Sequence, residues 1–263
     1  MTVKNYLNFT LNGISNEDLK IINCSVSSSL YEENFIFKRD LQTQYIKGNQ
    51  RTMLTHIKEN PLTIDLTFAF NDSFTDADLR YLGRVLNSNF FIPIKFINDS
   101  TDETKVDKIY YILLNDDSRL YHTGINQGYV TLNFLTSSSY CFSDKITTET
   151  YNLSVNPTYT DIEIDNQGDV NLPINIFIEK VGSGNISIVN TSNSNDEFNI
   201  TGLIDGELIS VSTEYKILTS SLTGVFRYNN SNLNFINMII GENILRIIGN
   251  CKIYFEYQLR YLV

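Results

Sequence analysis

Alternation of apolar and polar residues recurs along this chain, and it constrains the fold more than any other feature, because a β-strand sends successive side chains to opposite faces. Leu62, Ile64, Leu66, Phe68 and Phe70 alternate with Thr63, Asp65, Thr67 and Ala69. The pattern returns in Val130, Leu132 and Phe134, and in Ile174, Ile176 and Ile178. It is plainest over Cys251, Ile253, Phe255, Tyr257, Leu259 and Tyr261, where Lys252, Glu256, Gln258 and Arg260 take the other face. Such strands suit antiparallel sheets with one wet face. Turn-forming clusters separate them: Asn166 to Asp169, Gly182 to Asn185, Asp205-Gly206 and Gly249-Asn250. This spacing predicts a β-sandwich or barrel, with Gly182-Ser183-Gly184 and Asp205-Gly206 as hairpin turns.

One segment breaks the period. From Thr75 to Leu86, the residues Leu79, Leu82 and Leu86 fall at spacings of three and four, behind Thr75 as N-cap and the first-turn acids Asp76 and Asp78. It is the one substantial helix expected, and it makes the N-terminal half α+β. Residues 38–51 show neither helix nor clean strand periodicity and carry Lys38, Arg39, Lys47 and Arg51 against a single acid, Asp40. They form either a solvated loop or a projecting arm. The polar stretch Ser143 to Asn156 is the candidate linker. It divides the chain into an N-terminal domain, 1–148, and a C-terminal domain, 149–263. A chain of 263 residues divided in this way has room for a core in each part.

Charge excludes several functions. The net charge is −10, with 14 basic against 17 acidic residues up to position 148 and 6 against 13 after it. Attraction to phosphate backbones or anionic headgroups therefore has the wrong sign, and neither nucleic-acid recognition nor membrane insertion is expected. No apolar run approaches the roughly 18 residues of a membrane span, nor does the N-terminus open a signal-peptide run, so folding in the cytoplasm is expected. Cys24, Cys141 and Cys251 are far apart and odd in number, which fits reduced structural thiols rather than a disulfide framework or a zinc site.

The residues that carry chemistry are sparse. Histidine occurs only as His56 and His122, in separate segments, so neither a helix-borne zinc pair nor a nucleophile triad is spelled out. Gly182-Ser183-Gly184 precedes Ile186-Ser187-Ile188, a strand pattern, and not a helix whose N-terminus could hold a phosphate. The acidic stretches Asn98 to Glu103 and Asp165 to Asp169 lack the ordered ligand spacing of a calcium loop. Two carboxylates could flank a glycosidic bond, but sugar sites usually add an aromatic platform, most often Trp, and this chain has no Trp. No enzyme, cofactor or metal site is predicted.

The ordered string of segments is similar to the distal tail proteins of phages that infect Gram-positive bacteria, over nearly the whole chain. Phe9-Thr-Leu-Asn-Gly-Ile-Ser-Asn-Glu-Asp18 resembles the family's opening. Phe90 to Phe96, Lys108 to Tyr111 and Gly128 to Phe134 follow in the family's order. In the second half the likeness runs through Gly168-Asp-Val170, Ile178-Glu-Lys180, Gly184 to Asn190, Phe198 to Glu207, Phe226-Arg-Tyr-Asn-Asn230 and Gly249 to Ile253. The chain departs from the family's pattern in lacking a Trp at Val85 or Leu86 and another at 176–178. It also has Lys38-Arg39-Asp40 where relatives carry a Gly-rich turn.

The resemblance implies a mainly β structural protein of the virion. Its N-terminal α+β domain would form a ring, usually hexameric, and its C-terminal domain would be a galectin-like antiparallel β-sandwich. Residues 38–51 would be an arm, with Lys38, Arg39, Lys47 and Arg51 in contact with a neighbouring subunit. The implied partners are further copies of the chain, the tail tube protein, and the tail-tip hub, baseplate or receptor-binding proteins, around a channel for DNA. A sugar-binding role in recognising the host wall is the alternative for the C-terminal domain. That domain has neither His nor Trp, so lectin activity by the familiar route is not expected, and protein docking is.

Overall fold

The computed structural model describes residues 3–4, 6–26, 36–48, 50–98, 106–115 and 118–262. The chain divides into two compact units, Met1–Ser143 with Leu262–Val263, and Asp144–Tyr261. The acidic stretch beginning at Asn98 lies outside the described residues from position 99 to 103.

In the first unit the elements run β1 (Phe9–Leu11), β2 (Ile14–Ser15), β3 (Ile21–Cys24), β4 (Arg39–Gln44), β5 (Met53–Glu59), β6 (Thr63–Phe70), α1 (Asp76–Leu86), β7 (Ile92–Phe96), β8 (Lys108–Leu114), β9 (Arg119–His122), β10 (Gly128–Thr136) and β11 (Cys141–Phe142). The main sheet is antiparallel in the order β2-β1-β7-β8-β10-β6-β3. Strand β9 takes over beside Gly128 to Thr131 of β10, and β8 pairs with Phe134 to Thr136. Alternation places Leu66, Phe68, Leu132 and Phe134 in a core with Phe9, Leu11, Ile94 and Phe96. Helix α1 is closed by a capping box: Asp78 N–H donates to Thr75 Oγ1 at 3.2 Å, and Thr75 N–H donates to Asp78 Oδ2 at 2.9 Å. It buries Leu82 and Leu86, and it is the only α-helix among the described residues.

The second unit contains β12 (Ile146–Thr147), β13 (Tyr151–Leu153), β14 (Thr160–Asn166), β15 (Leu172–Pro173), β16 (Asn175–Lys180), β17 (Gly184–Asn190), β18 (Asp196–Leu203), β19 (Leu208–Ser212), β20 (Ile217–Ser220), a single 3-10 turn η1 (Arg227–Asn230), β21 (Asn237–Met238), β22 (Gly241–Ile248) and β23 (Cys251–Tyr257). One antiparallel sheet runs β12-β23-β16-β19-β20, with β13 also on β23, a second runs β14-β22-β17-β18, and β15 and β21 pair as a two-stranded sheet. Their inward side chains form one apolar core. Ile176, Ile178, Val211, Ile253 and Phe255 come from the first sheet, and Ile162, Ile188, Phe198, Leu245 and Ile247 from the second. This is the antiparallel sandwich that the alternation predicts.

Two local expectations need correction. The stretch 143–156, expected as a linker, is largely ordered against the sandwich: Ile146 and Thr147 pair with Tyr257 and Glu256, and Tyr151 to Leu153 pair with Ile253 to Cys251. Its polar composition reflects edge strands with one wet face. The turns at Gly182-Ser183-Gly184 and Asp205-Gly206 are not hairpins. They carry the chain between the two sheets, from β16 to β17 and from β18 to β19, as Gly249-Asn250 does from β22 to β23. Lys180, 3% exposed, gathers these crossings. Its Nζ donates to Val181 O and Asn250 O, both at 2.9 Å, while Gly206 N–H donates to Lys180 O. Glycine is required at 249, where φ is +103° and a Cβ would fall 2.4 Å from Asn185 O.

Candidate functional site

The element that stands apart is the β4–β5 hairpin, a two-stranded sheet of its own. Every residue of β4 is exposed, as is every residue of β5 except Glu59. Cross-strand partners share a face, so the register sorts the side chains. Leu41 stands with Ile57, Thr43 with Leu54, and Arg39 with Glu59 on one side. Asp40 stands with Lys58, Gln42 with His56, and Gln44 with Met53 on the other. The ribbon thus has a greasy face, with Leu41 59%, Leu54 53% and Ile57 41% exposed, and a mostly polar back. Isolated two-stranded ribbons are marginal in water, and an apolar face left in solvent is a binding surface seeking cover.

Its root is fastened. Glu59 takes Arg39 on one carboxylate oxygen at 3.5 Å and the Tyr140 hydroxyl on the other. The buried Phe37 ring meets Tyr140 edge-on with centroids 5.5 Å apart, and the Arg39 guanidinium lies 5.1 Å from the Phe37 centroid. Asn60 closes the base, donating from its backbone N–H to Lys38 O at 3.0 Å and from Nδ2 to Asp40 Oδ2 at 2.8 Å. Burial, followed by the Glu59 hydrogen bond and charge, raises the Tyr140 phenol above its ordinary pKa, so the donor stays protonated. The hairpin is a stiffly rooted projection, not a loose loop.

The four predicted contact residues divide into two groups. Lys38 and Arg39 lie at the root, where Lys38 Nζ is 3.7 Å from Asp40 and Arg39 is held by Glu59. Lys47 and Arg51 lie at the far end, in the turn between the strands. Sequence reasoning missed the apolar face because of a β-bulge. The register shifts between Gln42 and Thr43, leaving an extra residue, Thr55, whose Oγ1 donates to Gln42 O at 2.9 Å. The bulge puts Leu54 and Ile57, three apart, on one side of a strand, where strict alternation would separate them. The pairing of Leu41 with an apolar residue across a polar turn was the available signal.

The described residues hold no group of three or more His, Cys, Asp and Glu side chains able to bind a metal ion. His56 and His122 are exposed on β5 and β9. Cys141 and Cys251 are buried, Cys24 is half-buried, and no disulfide joins them. No helix among the described residues is long and apolar enough to cross a membrane.

A family model described as the phage tail protein N-terminal domain matches residues 4–138, and one described as the phage tail C-terminal domain matches residues 140–257. A Bacillus subtilis (strain 168) protein, the SPbeta prophage-derived uncharacterized protein YomH, is 28% identical over 254 residues, 97% of each chain. Among solved structures, the chain is similar to the SPP1 Dit protein (gp 19.1), described as a paradigm of the hub adsorption apparatus in Gram-positive infecting phages. That likeness has a TM-score of 0.64 at 15% identity and covers 96% of this chain and 99% of that one. A chain of the phage P2 baseplate in its activated conformation is similar at a TM-score of 0.52 and 9% identity, over 96% and 97%.

Proposed function

We infer the function from one premise: this chain belongs to the phage tail protein family, matched in both its N-terminal and C-terminal domains. It is a structural component of a phage tail. Within the tail, copies of the chain close into a ring, a hexamer, in the baseplate. The first unit forms the ring and meets the tail tube protein. The second, a galectin-like sandwich, carries the tail-tip hub and receptor-binding proteins. The protein is assembled in the host cytoplasm and acts in the virion without catalysis.

The observation that carries this reading is the β4–β5 hairpin, a rooted ribbon that offers Leu41, Leu54 and Ile57 to solvent. A neighbouring copy covers that face, because in a closed ring each subunit both lends an arm and receives one, leaving no face uncovered. Lys47 and Arg51 at the arm's end meet acids of the neighbour on a surface whose net charge is −10, which fixes register more than it adds affinity. The same acidic excess repels phosphate backbones, so DNA passes through the bore without being held.

The arm is tested by Leu41→Asp with Ile57→Asp, which places charge on the greasy face and leaves the root intact. In sedimentation velocity the wild-type chain runs as a ring, and the double variant runs as a monomer with unchanged circular dichroism. A double variant that still assembles would remove the arm from the interface.

A further inference from the structure

Strand β14 ends its sheet, and among the described residues it pairs with β22 alone. The direction of its remaining backbone groups follows from the neighbouring ladder. Thr191 N–H donates to Ile244 O at 2.9 Å, and Ile244 N–H donates to Ser192 Oγ at 3.1 Å, so Ile244 presents its backbone to the β17 side. Backbone groups alternate in direction along an antiparallel strand. Asn243, Leu245 and Ile247 therefore turn to β14, where they meet Ile164, Ile162 and Thr160. The N–H and C=O groups of Asp161, Glu163 and Asp165 are left aimed outward, along an edge with no strand beside it among the described residues.

The side chains at those three positions are all acids, alternating with the buried Ile162 and Ile164. Asp161 is answered from β22: Arg246 donates to it from Nε at 2.8 Å and from Nη2 at 2.9 Å, with the guanidinium 4.0 Å from the Tyr159 ring centroid. Glu163 and Asp165 stand instead beside Ile244 and Glu242, and among the described residues neither acid joins an ion pair. Like charges placed directly opposite, as in Asp165 and Glu242, repel. Glu163 and Asp165 also line a cleft of about 380 Å³ together with Glu149, Tyr151, Tyr257 and Leu259. Burial raises both phenols above their ordinary pKa, helped by Tyr151 and Asp165 at Tyr257 and by Glu149 at Tyr151. The rings thus stay neutral, able to lie against a cation as Tyr159 does against Arg246.

Charge on an open edge guards against pairing with copies of the same chain, since two acid edges repel. The same charge attracts a strand of opposite sign. We propose that the β14 edge takes an extended basic segment of a partner protein, hydrogen-bonded to the main chain of Asp161, Glu163 and Asp165 and carrying Lys or Arg at alternate positions. Strand addition of this kind draws affinity from the main chain and selectivity from alternate side chains. A cation beside Glu163 or Asp165 reproduces the contact that Arg246 makes with Asp161 and relieves the repulsion between Asp165 and Glu242. The proposal rests on the reading of the second unit as the part that carries other tail proteins, and it deepens that reading by naming the edge and the charge of what the edge accepts.

The test uses the full chain and a fluorescent peptide of seven residues, the length of β14, alternating Lys with Val and followed by anisotropy. One companion peptide has Glu in place of Lys. Another carries N-methyl groups on its backbone amides, which keeps the charge and removes the donors. The Lys-Val peptide is expected to bind, and each companion to bind about tenfold or more weakly. Glu163→Lys with Asp165→Lys weakens the Lys-Val peptide about tenfold or more as well. Glu17→Lys with Asp72→Lys, which makes the same change of net charge on exposed acids of the first unit, leaves its binding in place. Sedimentation of the same samples reports assembly, which neither double variant changes, so failure of this edge is read apart from failure of the ring. The proposal is overturned by no binding of the Lys-Val peptide, by equal binding of the N-methylated one, or by equal weakening in both double variants. Loss of the ring in Glu163→Lys with Asp165→Lys also overturns it, because the edge is then a contact between copies.

Discussion

Glu207 is 1% exposed in the second unit. It accepts from Arg227 Nε at 2.8 Å and Nη2 at 2.7 Å, from Ser220 Oγ at 2.7 Å, and from Ile204 N–H at 3.1 Å. Burial pushes its carboxyl pKa up, but the Arg227, Ser220 and Ile204 donors outweigh that and leave it below its ordinary value. A pKa lower in the folded state than in the unfolded chain means that the ionised group stabilises the fold above the unfolded value, and that this contribution fades as pH falls through the folded one. Glu207→Gln strands the Arg227 charge and is expected to cost about 3–5 kcal/mol in denaturant unfolding at neutral pH. The loss shrinks toward acid pH, where the wild type has surrendered the same contribution. Lys180→Met removes the Nζ donor from Val181 O and leaves Asn250 O with the Val181 N–H alone. A drop of about 1–3 kcal/mol in the same measurement is expected. Neither role was readable from sequence: Glu207 and Lys180 look like ordinary surface charges until the fold brings Arg227 and Asn250 to them.

At the scale of the element, legibility followed local chemistry. The helix was visible because its cap, first-turn acids and leucines lie within a dozen consecutive residues, and Thr75→Ala is expected to cost about 1 kcal/mol by thermal unfolding. Strands such as Thr63–Phe70 and Cys251–Tyr257 were visible because one face is core and the other wet. The turns misled, since Asp205-Gly206 and Gly182-Ser183-Gly184 carry hairpin residues but join strands of different sheets, and sheet membership is a long-range property. The hairpin β4–β5 was half legible. Its charges stood out in Lys38, Arg39, Lys47 and Arg51, whereas the bulge at Thr55 hid the shared face of Leu41, Leu54 and Ile57. Phe37, Glu59 and Tyr140 fasten the root of that hairpin.

Considered as a whole molecule, the chain combines two β-rich units, a rooted hairpin with one greasy side, and a strong acidic excess. An isolated copy would leave the arm in water, where it adds nothing to stability and invites uncontrolled pairing. In the proposed ring, closure with identical neighbours would resolve this, because each arm would then find the same receiving surface. The direct test is the mass of the purified full-length chain in solution, followed by two-dimensional averages of the particles. A mass of six chains and averages showing a closed ring with a central hole are predicted. A chain that remains a monomer at all concentrations, or grows into open filaments, would contradict the account.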